Sequence, residues 1–169
     1  TDPTDPASFP ILYVDVDATG ANTGRSWTDA FTELQDALAA AAAGCEIWVA
    51  EGEYFPTAGT DRTISFQLKN WLGVYGGFAS GETLRSERDW RTHVAVLSGD
   101  IGTAGDNTDN SWHVVTADSS VTSQAVIDGF TVRSGYTTQS NDSGAGLHAG
   151  QAASVEVRNC LFTGNYADY

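Results

Sequence analysis

Hydrophobic positions near the start of the chain have the spacing of an α-helix. Ser26 and Asp29 have capping-box spacing, and Gly44 is placed to end the helix. The pattern predicts one amphipathic helix over residues 26–43 with a single face to bury. The apolar residues that recur every three or four positions in SWTDAFTELQDALAAAAAG are Trp27, Phe31, Leu34, Leu38 and Ala41.

Downstream, apolar residues alternate with polar ones in short runs, which is typical of β-strands. Segments rich in Gly, Asn, Asp and Ser, such as GTAGDNTDN, separate the runs and predict turns. No second long helical pattern intervenes, so a doubly wound α/β fold is not expected. The predicted strands are EIWVAEG, TISFQLKNWLGVYGGF, HVAVLSGD, WHVVTAD, AVIDGFTV, GLHAG and VEVRNCLF.

An internal repeat connects two of these runs. When IDGFTVRSG from residue 127 is aligned with VRNCLFTGN from residue 157, Phe130 matches Cys160 and Val132 matches Phe162, an offset of 30 residues. A repeat of this length, built from strands without crossover helices, predicts a parallel β-helix. Because strand side chains alternate, Cys160 and Phe162 are predicted to point into the core.

Cys160 could be a nucleophile, a metal ligand, half of a disulfide with Cys45, or part of the core. Its match with Phe130 favours the core, where a free cysteine behaves as a small hydrophobic side chain of low reactivity. Cys45, just after the predicted helix, is interpreted as structural too. Two cysteines are too few for a disulfide scaffold and lack zinc-ligand spacing.

A series of motifs carries a resemblance to a known family. In order, they are YVDVDATGANTGRSWTDAFTELQDAL, EIWVAEGEYFPT, FQLKNWLGVYGGF, VLSGDIG, DNSWHVV, IDGFTV and NCLFTGN. Over about residues 11–169 the chain resembles the N-terminal part of bacterial right-handed parallel β-helix proteins of the pectin-lyase-like superfamily. It is similar in particular to large secreted or surface proteins with polymorphic-outer-membrane-protein-type repeats. The resemblance implies an all-β fold, a right-handed parallel β-helix solenoid with an N-terminal α-helical cap.

The resemblance also implies a domain layout. Residues 11–169 would form the N-terminal cap and the first rungs, and the helix would cover the strand edges and apolar interior of the first rung. Residues 1–10, with prolines at 3, 6 and 10, are expected to form an extended leader. Family members continue with further rungs after a motif such as NCLFTGN. We therefore expect the first part of a longer protein, or a last rung that a partner covers.

Composition limits the partners of the chain. Eight basic and 22 acidic residues give a formal net charge of −14, which disfavours nucleic acid and anionic membranes and favours cations. The chain contains no run of about 18 apolar residues that would predict a membrane span. Its first residues lack the basic and apolar regions of a signal peptide. A secreted or cell-surface location is what the resemblance implies.

The sequence gives no catalytic pattern. Pectate-lyase-like enzymes use a calcium-binding carboxylate cluster with an arginine base, and pectin hydrolases use paired aspartates; neither pattern is found as written. Asp128 is the best strand carboxylate, but Arg158 lies one repeat later, so a surface or turn contact is predicted. Histidines at 93, 113 and 148 are dispersed, without metal-ligand spacing.

Two acidic turns are candidate calcium sites, because calcium takes six to eight oxygen ligands from carboxylates, amides, carbonyls and water. The alternative is that Asp and Asn are there because their side chains form turn hydrogen bonds. Neither turn has EF-hand spacing. The first set, in GDIGTAGDNTDN, is Asp100, Asp106, Asn107, Asp109 and Asn110, and the thinner second set, in VDVDATGAN, is Asp15, Asp17 and Asn22.

Tryptophans at 27, 48, 71, 90 and 112 raise the question of a sugar-stacking surface, which needs two or three exposed coplanar rings. Trp27 is predicted to lie in the core and Trp48 to face outward, and packing against loops is favoured for most of the five.

The sequence thus predicts a non-enzymatic extracellular structural or adhesive module that self-associates through its solenoid end. A separate possibility is a filament subunit joined through its solenoid ends. The expected partners of the chain are other copies of itself or further rungs of the same chain, and its one candidate cofactor is calcium. The alternative is a polysaccharide-binding or polysaccharide-cleaving, lyase-like module whose catalytic rungs lie outside this segment.

Overall fold

The structure is a computed structural model that describes residues 10–138 and 143–168. Apart from Pro10, the predicted leader over residues 1–10 lies outside the described residues.

The described residues form one α-helix and a series of short strands. The helix α1 is Leu34–Ala40. The first seven strands are β1 (Ile11–Val14), β2 (Glu46–Ala50), β3 (Gly52–Tyr54), β4 (Phe66–Gln67), β5 (Gly73–Phe78), β6 (Ala95–Ser98) and β7 (Val115–Ala117). The other seven are β8 (Ala125–Asp128), β9 (Phe130–Arg133), β10 (Tyr136–Thr137), β11 (Leu147–Ala149), β12 (Val155–Arg158), β13 (Leu161–Thr163) and β14 (Tyr166–Ala167).

The strands form four small sheets, and within each sheet neighbouring strands are parallel. One sheet has five strands in the order β1-β2-β5-β8-β12, and another has four in the order β13-β9-β6-β3. A three-stranded sheet has the order β11-β7-β4, and β10 pairs with β14. Strands that are far apart in sequence therefore lie side by side, with the intervening chain looping between sheets.

One face of these sheets builds the core. Ile47 and Val49 of β2, Leu97 of β6 and Val115 of β7 are buried in one apolar cluster with Leu34 of α1. Burial of such aliphatic side chains stabilises the fold by about 1.5–3 kcal/mol each, before the cost of ordering the chain. The apolar stripe of the sequence is thus what docks α1 on the strands.

The predicted helix over 26–43 is longer than the helix found. Its first part is instead a series of turns and bends held against β1: the Tyr13 N–H donates to the Gly24 carbonyl, and the Phe31 N–H donates to the Tyr13 carbonyl. The capping contact of Ser26 and Asp29 does form, since the Asp29 N–H donates to Ser26 Oγ, but it closes a turn. Pairing with β1 satisfies backbone groups that helix formation would also satisfy, and tertiary context decides between the two.

The predicted 30-residue offset is the register of strand pairing. Ile127 lies opposite Val157, Val132 opposite Phe162, and Tyr136 opposite Tyr166. The alignment of the two runs is therefore confirmed at the level of individual residue pairs.

The predicted fold class, an all-β right-handed parallel β-helix solenoid with a helical cap, is wrong. Residues 10–138 and 143–168 form several small parallel sheets with a single α-helix, and they contain neither a closed sheet nor a regular solenoid. A regular solenoid needs a nearly constant repeat. Along one row of the five-stranded sheet, positions 46, 73, 126 and 156 lie side by side, so the intervals are 27, 53 and 30 residues. The 30-residue repeat thus describes the last interval and not the whole chain.

Candidate functional site

The first predicted calcium loop is closed by its own hydrogen bonds. Both Asp100 carboxylate oxygens accept from the Gly105 N–H, at 2.9 and 3.2 Å. Asp106 Oδ1 accepts from the backbone and the hydroxyl of Thr108, at 3.0 and 2.7 Å. These are the turn hydrogen bonds that the alternative interpretation of the acidic residues requires.

The rest of this loop contains buried oxygens. Asp109 Oδ2 accepts from the Thr103 N–H at 2.8 Å, and the Asn110 carbonyl accepts from Arg62 Nε at 2.6 Å, while Asn107 is exposed. Asp109 Oδ1, Asn110 Oδ1 and the Ser111 hydroxyl are buried without a hydrogen-bond partner among the described residues. Such groups need a water or an ion.

The second predicted set is also held by hydrogen bonds within the protein. Asp15 Oδ1 accepts from the Asp17 N–H at 2.9 Å, and Asp15 Oδ2 accepts from the Ser80 hydroxyl at 2.6 Å. Asn22 lies apart from this pair, in a left-handed conformation, and its Oδ1 accepts from the Thr32 N–H. Within residues 10–138 and 143–168, no three His, Cys, Asp or Glu side chains form a group that could hold a metal ion. Calcium binding at either set stays a prediction.

Several exposed turn carboxylates are held in their ionised form. The Thr108 hydroxyl lowers the pKa of Asp106, and the Ser120 side chain lowers the pKa of Asp118. Backbone N–H groups lower the pKa of Asp89 and of Glu87. Ionised carboxylates accept hydrogen bonds in these turns and are poorly suited to donate a proton.

Asp128 is not the surface or turn carboxylate that the sequence predicts. It forms an ion pair with Arg88, with Oδ2 at 2.7 Å from Nη2 and both side chains almost fully buried. Its Oδ1 accepts from Asn159 Nδ2 at 2.8 Å. Arg88 Nη1 also donates to the Gly76 carbonyl at 2.9 Å. The network ties the segment 79–94 to β5 and β8.

That segment forms one wall of a groove of about 730 Å³ across the outer face of the five-stranded sheet. Three of the eight basic residues of the chain line the groove. Each is paired: Arg85 with Glu46, Arg88 with Asp128, and Arg158 with Glu156. The groove is therefore rich in arginine but locally balanced in charge.

The tryptophans do not form a flat platform. Trp48 faces outward from the main core as predicted, yet it is buried because it packs with Tyr13, Trp27 and Phe78. Trp71 is 60% exposed and has a φ of 59°, an uncommon conformation for a large side chain. It borders a separate groove of about 450 Å³.

Sequence reasoning missed one pair of histidines. The rings of His113 and His148 lie 4.6 Å apart, and Nδ1 of each is near a backbone carbonyl, of Gly144 and of Ser143 respectively. The two residues are dispersed in sequence, so no spacing rule could have brought them together.

One end of the molecule is formed by four consecutive strands, β11 to β14, and we call these strands the terminal layer. Each is the outermost strand of its sheet. The layer carries four exposed large apolar residues, Val157, Leu161, Phe162 and Tyr166. Phe162 was predicted to be core, and it is exposed because β13 pairs on one side only.

Cys160 lies at the border of the core and this layer. It is partly buried against the main apolar cluster, and both cysteines are free thiols. Burial raises the pKa of the Cys160 thiol. The core interpretation of Cys160 is thus confirmed in part, because the side chain touches the core without being enclosed by it.

None of the helices in the described part of the chain is both long and apolar enough to cross a membrane. Comparisons of the chain with protein-family models, with curated proteins and with solved structures each give no match.

Proposed function

We propose that the chain is a non-enzymatic extracellular structural or adhesive module that assembles through its terminal layer. The extracellular setting is taken from the sequence resemblance. The single observation that carries the proposal is the concentration of exposed apolar side chains on strands that are open at one edge.

The terminal layer combines two features that favour association. Its strands have backbone N–H and C=O groups along an edge to which another strand can add. Leu161 and Phe162 add apolar surface whose removal from water stabilises a contact by about 25 cal/mol per Å² buried. The added strands would come from another copy or from further strands of the same polypeptide.

Light scattering on the purified 169-residue chain tests the proposal. We expect the mean mass to rise with concentration above that of a monomer, and Phe162→Lys to lower it, because a charge would then be buried at the contact. Val94→Lys is the matched control, since Val94 is 42% exposed, Phe162 is 41% exposed, and Val94 lies outside the terminal layer. A monodisperse wild-type monomer at high concentration would reject assembly through this layer.

A second candidate, polysaccharide binding, is favoured by the arginine-lined groove. The side chains of Arg85 and Arg158 are 42% and 55% exposed, and ion pairs near the surface are worth little, so the carboxylate of an acidic sugar can replace Glu46 or Glu156 as their partner. Calorimetric titration with oligogalacturonate tests this. Binding that is lost in the Arg85→Met variant would support polysaccharide binding in this groove. The absence of any heat of binding to the wild type would reject it.

A further inference from the structure

The two ends of the five-stranded sheet differ in how their edges are treated. At one end, the Phe31 N–H donates to the Tyr13 carbonyl of β1 and the Asp15 N–H donates to the Phe31 carbonyl, both at 2.9 Å. Phe31 also forms a parallel bridge with Val14. The β1 edge is thus already paired by its own chain, and no described strand pairs with the outer side of β12. A second copy cannot add to β1 by strand pairing, so head-to-tail addition through this sheet is blocked.

The backbone of β12 shows which of its residues face the open edge. The Ser154 carbonyl accepts from the Ala125 N–H, and the Arg158 carbonyl accepts from the Gly129 N–H, so these groups point toward β8. Backbone groups alternate sides along a strand, so the N–H and C=O of Val155 and Val157 point the other way. Val157 is therefore the middle of the open edge.

The side chains of β12 are self-complementary about that residue. Glu156 and Arg158 lie on the same face of the strand, one on each side of Val157, and they form an ion pair with each other. When two copies of β12 lie antiparallel with Val157 opposite Val157, each Glu156 faces an Arg158 of the other copy. Opposite charges in directly opposed positions stabilise antiparallel strands, and like charges destabilise them. This register also keeps inward and outward faces matched.

We propose that a second copy of the chain pairs antiparallel on β12, across a two-fold axis at Val157. The proposal rests on the proposed function and makes it specific: assembly through β12 ends at a dimer. An isologous contact of this kind uses up the surface that it joins, so it does not propagate into a filament.

Charge exchange tests the register. Glu156→Arg places two arginines opposite each other at both positions, and Arg158→Glu does the same with two glutamates. We expect each single variant to weaken the dimer at least tenfold, and the double variant with both changes to restore it. The side chains are 33% and 55% exposed, so the variants retain the fold, which circular dichroism verifies. Sedimentation equilibrium gives the dimer dissociation constants.

Cross-linking tests the axis without relying on charge. In a background with Cys45→Ala and Cys160→Ser, Val157→Cys should form a disulfide-linked dimer on oxidation, because opposed Cα atoms lie about 5.5 Å apart in a hydrogen-bonded antiparallel pair. Val155→Cys is the matched control. In the proposed register, position 155 of one copy lies opposite Asn159 of the other. The two substituted residues at position 155 would therefore be roughly 14 Å apart along the strands, too far for a disulfide.

The outcomes separate the two proposals. If neither charge variant changes the dissociation constant and Val157→Cys gives no disulfide-linked dimer, the two-fold pairing is overturned. Assembly through the terminal layer is then still supported by the observed association. Species larger than a dimer whose dissociation constants the charge variants leave unchanged also overturn the pairing. A strictly monomeric wild-type chain overturns both proposals.

Discussion

Arg88 Nη2 and Asp128 Oδ2 lie 2.7 Å apart, with 8% and 6% of their side chains exposed, and they join a long surface segment to the middle of a parallel sheet. The Arg88 guanidinium also lies over the Trp90 ring, 5.0 Å from its centroid. The remaining carboxylate oxygen is used by Asn159. A charge pair that is buried in this way is stable because nearly every donor and acceptor has a partner.

Removal of one member of this pair should destabilise the protein strongly. Asp128→Asn leaves the Arg88 charge buried without its counter-charge, and we expect a loss of about 3–5 kcal/mol in the free energy of unfolding. Urea denaturation measures it. Arg85→Met is the control, because Arg85 pairs with Glu46 nearer the surface and the expected loss there is at most about 1 kcal/mol. Equal effects of the two changes would contradict the burial argument.

Cys160 should react slowly in the folded protein. Its thiol has a raised pKa because of burial, so the reactive thiolate is scarce near neutral pH. In a Cys45→Ala background, we expect a bulky thiol reagent to label the native chain far more slowly than the chain in urea. Cys160→Asp should cost several kcal/mol, since it places a carboxylate against the apolar cluster. Native labelling as fast as that of unfolded chain would show that the side chain is not held against the core.

Acid should weaken the fold through its turns. The pKa values of Asp61, Asp89, Asp106 and Asp118 are lowered by turn hydrogen bonds, relative to an ordinary value of 3.8. A lowered pKa contributes stability that is present above the ordinary value and lost as the pH falls below it. We therefore expect the urea midpoint to decrease between about pH 4 and pH 2.

The matched variant for this effect is Asp106→Asn combined with Asp118→Asn. Asparagine keeps the turn hydrogen bond but does not titrate. The urea midpoint of this double variant should fall less between pH 4 and pH 2 than that of the wild type. Equal decreases would place the acid sensitivity elsewhere.

The first predicted calcium set is Asp100, Asp106, Asn107, Asp109 and Asn110, and within it Asp109 Oδ1 and Asn110 Oδ1 are buried without a hydrogen-bond partner among the described residues. Bound calcium would stabilise the native state by mass action, so the melting temperature should rise with calcium and fall again with chelator. Asp106→Ala together with Asp109→Ala should abolish the rise. Melting curves that coincide with and without chelator would reject calcium and leave water as the partner of these oxygens.

Local patterns in the sequence predicted the position of the helix and the residues that face each other in two paired strands. The apolar stripe located α1, and the repeat gave the residues that face each other in β8 and β12. These features depend on neighbouring residues or on two similar segments, which a single sequence displays directly.

Long-range relationships could not be predicted in the same way. Nothing near Asp128 in sequence indicates that Arg88, 40 residues earlier, forms a buried ion pair with it. The extrapolation from one repeat to a whole solenoid failed because the earlier intervals between paired strands differ from 30 residues. The start of the predicted helix failed because pairing with β1 competes for the same backbone groups.

The paired edge of β1 also bears on how the chain folds as it is synthesised. Each later strand of the five-stranded sheet pairs with one that has already left the ribosome, in the order β2, β5, β8 and β12. The segment that covers β1 is made before β2, so the growing sheet accepts new strands on one side only. The order of translation is therefore the same as the order of the strands across this sheet, and an unfinished chain has one open edge in this sheet instead of two.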